Sequence, residues 1–132
     1  MISMPLVSIV TLLAILEFMV LGGMVGYARG KYGVKAPATS GHEMFERHFR
    51  VHYNTLEQMI VFLPALWLFG AFISELWAAG LGVIFVVARI LYAFGYVRDP
   101  KKREVGSMLS FFVVTPLVLG ALYGAVRAAV GW

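Results

Sequence analysis

One short stretch of this chain lines up a cation, an amide and a carboxylate. In Phe45-Glu46-Arg47-His48-Phe49-Arg50-Val51-His52-Tyr53-Asn54-Thr55-Leu56-Glu57, the residues Arg47, Arg50, Asn54 and Glu57 follow at steps of three, four and three. That spacing puts them on one face of a helix. The stretch runs into Ile60-Val61-Phe62-Leu63, the start of a membrane-grade apolar run. Unpaired charges at a bilayer entrance are costly, so the stripe needs a partner or a ligand. The plainer alternative is interfacial, with arginines reaching headgroups and pairing with Glu46 or Glu57.

A second polar face follows downstream. Arg89, Tyr92 and Tyr96 recur at steps of three and four. An interfacial aromatic belt explains Tyr96 readily. Arg89 sits about two turns inside the end of its apolar run and needs an internal partner, for which Glu57 and Glu46 are the candidates. Arg98-Asp99-Pro100-Lys101-Lys102-Arg103-Glu104 reads as a topology and headgroup anchor. Glu17 lies in the middle of the first apolar run, where a carboxylate is expensive. A structural hydrogen bond is its favoured reading over a proton-coupled role. His42, His48 and His52 form no metal-ligand pattern: the i, i+4 pair His48/His52 lacks the intervening glutamate of a zincin. The absence of cysteine excludes disulfides, thiolate metal sites and a cysteine nucleophile. Any thiol chemistry must bring its own thiol.

The elements that carry these residues are membrane helices. The chain has 132 residues, enough for one domain, and is 61% hydrophobic, above the roughly 45–50% of soluble domains. Apolar windows at 5–27, 58–73, 76–97 and 106–126 predict an all-α membrane protein of four transmembrane helices, near 5–28, 41–72, 75–98 and 105–129. The first window reads as a membrane helix rather than a signal peptide, because no basic region precedes it and it contains a glutamate. Ser40 with Glu43 is a capping-box pattern, which starts the second helix near Gly41. Its first turns then stand at the membrane interface. Pro64 and Pro116 predict kinks, and Gly120 with Gly124 suits close helix packing.

Lys and Arg fall in the first and third connections: Arg29, Lys31, Lys35, Arg47 and Arg50 in one, Arg98, Lys101, Lys102 and Arg103 in the other. The positive-inside rule places both in the cytoplasm and both termini outside. The net charge of +4 is therefore mainly a topology signal. Nucleic-acid binding is disfavoured, since no basic run is interleaved with exposed aromatics.

The motif Phe45-Glu46-Arg47-x-x-Arg50-x-x-x-Asn54-x-x-Glu57 resembles the signature of the MAPEG superfamily, the membrane-associated proteins in eicosanoid and glutathione metabolism. Ala88-Arg89-Ile90-Leu91-Tyr92-Ala93-Phe94-Gly95-Tyr96 is similar to that family's third helix, and the likeness covers nearly the whole chain. The resemblance implies a four-helix subunit, a homotrimer, and glutathione as cosubstrate between neighbouring subunits, with no metal. It implies that Arg50, Asn54, Glu57, Tyr92 and Tyr96 hold glutathione. Arg29 and His52 would reach in from the adjacent subunit, and Arg103 would favour the glutathione thiolate. Arg47, Glu46, Arg89 and Gln58 would play supporting parts.

The chemistry of the residues fits that implication. Arginine forks suit the two carboxylates of glutathione, Glu57 its ammonium and Asn54 an amide, while a cation beside the sulfur lowers the thiol pKa. The thiolate would attack a hydrophobic electrophile held at the lipid-facing side. Gln58 and Gly30 stand where some members carry a tyrosine and a second arginine, and His52 replaces a glutamine. These departures leave open a non-catalytic lipid- or ligand-binding trimer. A small proton-coupled exporter built on Glu17 is the remaining alternative. The short chain and its topology suit a bacterial inner membrane.

Overall fold

A computed structural model describes residues 3–131 of the chain. Helix α1 spans Pro5–Tyr32, α2 Glu43–Phe72, α3 Glu75–Arg98 and α4 Glu104–Val130, with a short 3-10 turn at Pro100–Arg103. All four helices are long and apolar enough to cross a membrane. The protein is an integral membrane, four-helix bundle.

Local chemistry sets the ends. Pro5 occupies the first turn of α1, where its missing N–H costs nothing. Gly33 stops that helix in the left-handed region (φ 69°), and the Val34 N–H donates to the Arg29 carbonyl at 3.1 Å. The start of α2 differs from the capping box expected at Ser40. Gly41 has a φ of 141°, which no helical residue adopts, so the helix cannot begin there. His42 caps it instead, its Nδ1 accepting from the Met44 N–H at 3.1 Å. Ser74 caps α3 through the Trp77 N–H, and Asp99 opens the 3-10 turn by accepting from the Lys101 N–H. Both α2 and α4 continue through Pro64 and Pro116 without a break.

One apolar core joins all four helices, with Val7 and Ala14 from α1, Phe62 and Leu66 from α2, Phe85 from α3 and Leu117 from α4. Phe62 and Phe85 stack at 3.8 Å. The Gly120 and Gly124 pair packs within the chain, against Phe69 and Phe72 of α2. Outside the core, large apolar side chains such as Leu12, Leu16, Ile60, Leu76, Phe111 and Leu122 are exposed. In a bilayer this shell is solvated by lipid, and helical hydrogen bonding satisfies most backbone polar groups along it.

Two glycines matter for the region at the end of α3. A Cβ on Gly106 would lie 2.6 Å from the Tyr92 Cα, and one on Gly95 would lie 2.6 Å from the Lys102 carbonyl oxygen. Only glycine lets α4 press on the Tyr92 backbone and the 3-10 turn fold back on α3. Arg47 secures the same place from α2. Its guanidinium donates to the carbonyls of Val97 at 2.9 Å and Arg98 at 3.1 Å, and pairs with Glu43. Those carbonyls end a helix and have no partner within it.

Candidate functional site

The polar stripe of α2 divides into three fates. Arg47 is spent on the end of α3. Asn54 turns inward, its Oδ1 accepting from the Arg89 guanidinium at 2.7 Å. Arg50 and Glu57 stay out, with side chains 52% and 49% exposed and only a long ion pair of 3.8 Å between them. A contact that long and that exposed is worth little by itself, so both groups are available to a ligand.

Arg89 is almost wholly enclosed, at 1% exposure. The expectation that Glu57 or Glu46 neutralises it is overturned. Glu57 faces Arg50, and Glu46 accepts from the Gly41 N–H at 3.4 Å. Neutral acceptors surround Arg89 instead. Its Nε and Nη2 donate to Thr55 Oγ1 at 3.3 and 2.9 Å, and its Nη1 donates to Ser110 Oγ at 3.3 Å. Its guanidinium also lies over the Tyr92 ring, 4.2 Å from the centroid. One side chain thus ties α3 to α2 and α4. Thr55 and Ser110 were missed by sequence reasoning. A hydroxyl inside the charge-free α4 run was the available signal for Ser110.

Glu17 departs from its expected structural hydrogen bond. Both carboxylate oxygens are buried, and neither has a partner among the described residues. The side chain lies along a cleft shared with Arg89.

Tyr92 and Tyr96 stand side by side on α3, ring centroids 5.7 Å apart, Tyr92 buried and Tyr96 half-buried. Arg50 near the start of α2 and Arg103 in the turn after α3 stand at the same end of the bundle as Tyr92, near the end of α3. Arg103 is exposed, and its Nη1 donates to the Pro100 carbonyl at 3.2 Å. Arg50, Tyr92 and Arg103 therefore gather at one end of the bundle, with Tyr96 and Glu57 close along their helices. One turn along α2, Gln58 and Val61 line an apolar groove of about 430 Å³ with Ser107, Phe111 and Val118 of α4.

Arg29 and His52 are not brought to that cluster within one chain. Arg29 donates to the Ala38 carbonyl at 2.7 Å and lies over the Phe45 ring. His52 stacks on Phe18 of α1 at 4.4 Å. Among the described residues, no group of three or more His, Asp or Glu is placed to hold a metal ion.

The chain matches the model of the MAPEG family over residues 7–123. An uncharacterized protein of Synechocystis is 50% identical over 115 residues, covering 87% of this chain and 84% of that one. The microsomal glutathione S-transferase 2 of Bos taurus is 40% identical, covering 74% of this chain and 68% of the relative. The leukotriene C4 synthase of Rattus norvegicus is 35% identical over 94% of this chain and 88% of its own length. The chain belongs to the MAPEG family.

Proposed function

We propose that this MAPEG protein is a glutathione-dependent membrane transferase or peroxidase acting on hydrophobic electrophiles. The observation that carries this reading is the gathering of Arg50, Tyr92 and Arg103 at one bundle end, beside the loosely paired Glu57. The microsomal glutathione S-transferase 2 and leukotriene C4 synthase relatives support it.

In this reading Arg50 binds a glutathione carboxylate through its fork. Glu57 receives the ammonium, so the 3.8 Å pair opens to admit the zwitterion between its members. Asn54 has its oxygen committed to Arg89, which leaves its NH₂ to donate to a peptide carbonyl. Tyr92 and Tyr96 form the wall. Arg103 stabilises the thiolate, the nucleophilic form of the thiol. The thiolate forms a C–S bond to the electrophile, whose displaced electron pair leaves with the leaving group or takes a proton. In the reductive case the thiolate attacks a peroxide oxygen, and the O–O bond breaks to release an alcohol. A second glutathione converts the sulfenic acid to the disulfide and water. The apolar body of the substrate lies in the groove between Gln58 and Phe111. Arg29 and His52 complete the site from a neighbouring subunit of a homotrimer. The basic connections face the cytoplasm of a bacterial inner membrane, with both termini outside.

Titrating purified protein with glutathione, followed at the ultraviolet thiolate absorbance, tests the proposal. Saturable binding with a thiolate band is expected for the wild type, and weakened binding for Arg50→Ala. No saturable binding by the wild type would sink it. A non-catalytic ligand-binding trimer is the second reading, favoured by Gly30 and Gln58 standing where some members of the family carry a further arginine and a tyrosine. Binding without a thiolate band at any pH would select it.

A further inference from the structure

A second cavity lies away from the proposed glutathione cluster, between α1 and α3. It is a cleft of about 600 Å³, within the usual range for a bound small molecule. Leu13, Val20 and Met24 of α1 and Val86, Ile90 and Phe94 of α3 make its walls. Along α3 it runs from Val86 to Arg98, roughly 18 Å at 1.5 Å per residue. That is about half of a ~30 Å hydrocarbon core, the depth of one leaflet.

Its two ends differ chemically. At the mouth stand the exposed Arg98 and the half-buried His48, and Lys31 flanks His48 across the adjoining hollow. Deeper in are Glu17 and Arg89. Arg89 is a poor anion site there, because four of its five N–H donors are engaged by Asn54, Thr55 and Ser110. Glu17 beside it is buried without a hydrogen-bond partner among the described residues and adds no cation to that end. An anionic head is best placed at the mouth, where the cations stand, with its chain directed inward past Val20 and Met24.

From this polarity, length and volume we infer that the α1–α3 cleft is a binding site for a long-chain fatty acid, its carboxylate held by Arg98, His48 and Lys31. The site is separate from the proposed glutathione site. On α1, Arg29 points roughly 120° away from Glu17 by helical rotation, so a neighbour that receives Arg29 leaves the cleft edge facing lipid.

The experiment uses the full chain in phosphatidylcholine nanodiscs and a diazirine-bearing palmitic acid as probe. Photolabelled peptides are mapped by mass spectrometry, with unlabelled palmitate, hexadecanol or phosphatidylglycerol as competitors. Labels are expected on residues 13–24 and 86–98, displaced by palmitate but not by the other two. Val20→Trp, which fills an exposed part of the cleft wall, should abolish the labelling. Arg98→Gln should lower it by about fivefold, the worth of one interfacial cation. Glutathione binding should stay unchanged in both variants, which separates this site from the proposed catalytic one. Labels spread over α4, equal displacement by hexadecanol, or displacement by phosphatidylglycerol would each overturn the assignment in favour of ordinary surrounding lipid.

Discussion

Two arginines one helix apart show opposite design. Arg89 is closed: it is buried and its guanidinium is engaged by α2 and α4. Arg50 is open: it is half exposed and reaches its nearest carboxylate at 3.8 Å. A buried cation survives only when its donors are satisfied, so Arg89 can build the bundle but cannot greet a ligand. Arg50 adds little to stability and keeps its fork free. The same contrast separates Asn54, half committed to the knot, from Glu57, which is not.

The sharpest way to break the comparison is to remove the closed arginine. Arg89→Leu leaves Thr55, Ser110 and Asn54 without their donor. It should cost about 3 kcal/mol, since each buried polar group left unpaired costs ~1–3 kcal/mol. Unfolding followed by circular dichroism in a detergent titration checks this, and an unchanged midpoint would mean Arg89 is not the lock. Arg103→Ala should leave the fold intact, yet lower turnover by roughly 100-fold, as loss of one donor to a developing anion does. The thiolate band should fade while glutathione still binds.

Arg47→Lys probes the link between the two regions. A lysine keeps the charge, but its single ammonium cannot hold the Val97 and Arg98 carbonyls and Glu43 at once, as the guanidinium does through Nη1 and Nη2. The end of α3 and the turn bearing Arg103 should loosen, and the pH at which the thiolate appears should rise with little loss of global stability. An unaltered pH profile would confine Arg47 to packing. The smallest effect belongs to the open pair: a double-mutant cycle of Arg50→Ala and Glu57→Ala without ligand should give a coupling of about 0.2–1 kcal/mol. A larger value would show that the pair is structural rather than held apart for a ligand.

Much of the fold was legible because membrane helices announce themselves by composition. The four apolar windows map onto α1 to α4. The start of α2 was misplaced because a capping box is a local pattern, whereas the φ of Gly41 is set by how the preceding loop reaches the helix. Arg89 was recognised as needing a partner, but a carboxylate was expected. Three neutral acceptors on two other helices do that work, and no spacing within α3 points to them. Nothing in the spacing of Gly95 and Gly106 marks them; only the packed bundle sets the backbones of Lys102 and Tyr92 against them.

The sequence by itself determined the membrane class, the helix count, the family motif and which polar residues share a helical face. All of these depend on neighbours along one chain, through hydropathy and the helical period. Only the tertiary structure decided which members of the stripe are spent and which are free. It placed Arg47 on the end of α3 and Asn54 against Arg89, and left Arg50 exposed opposite Glu57. It also opened the cleft beside Glu17, whose carboxylate found no hydrogen-bond partner among the described residues. Whether a polar group is satisfied depends on contacts between helices distant in sequence, and those are fixed only when the bundle packs.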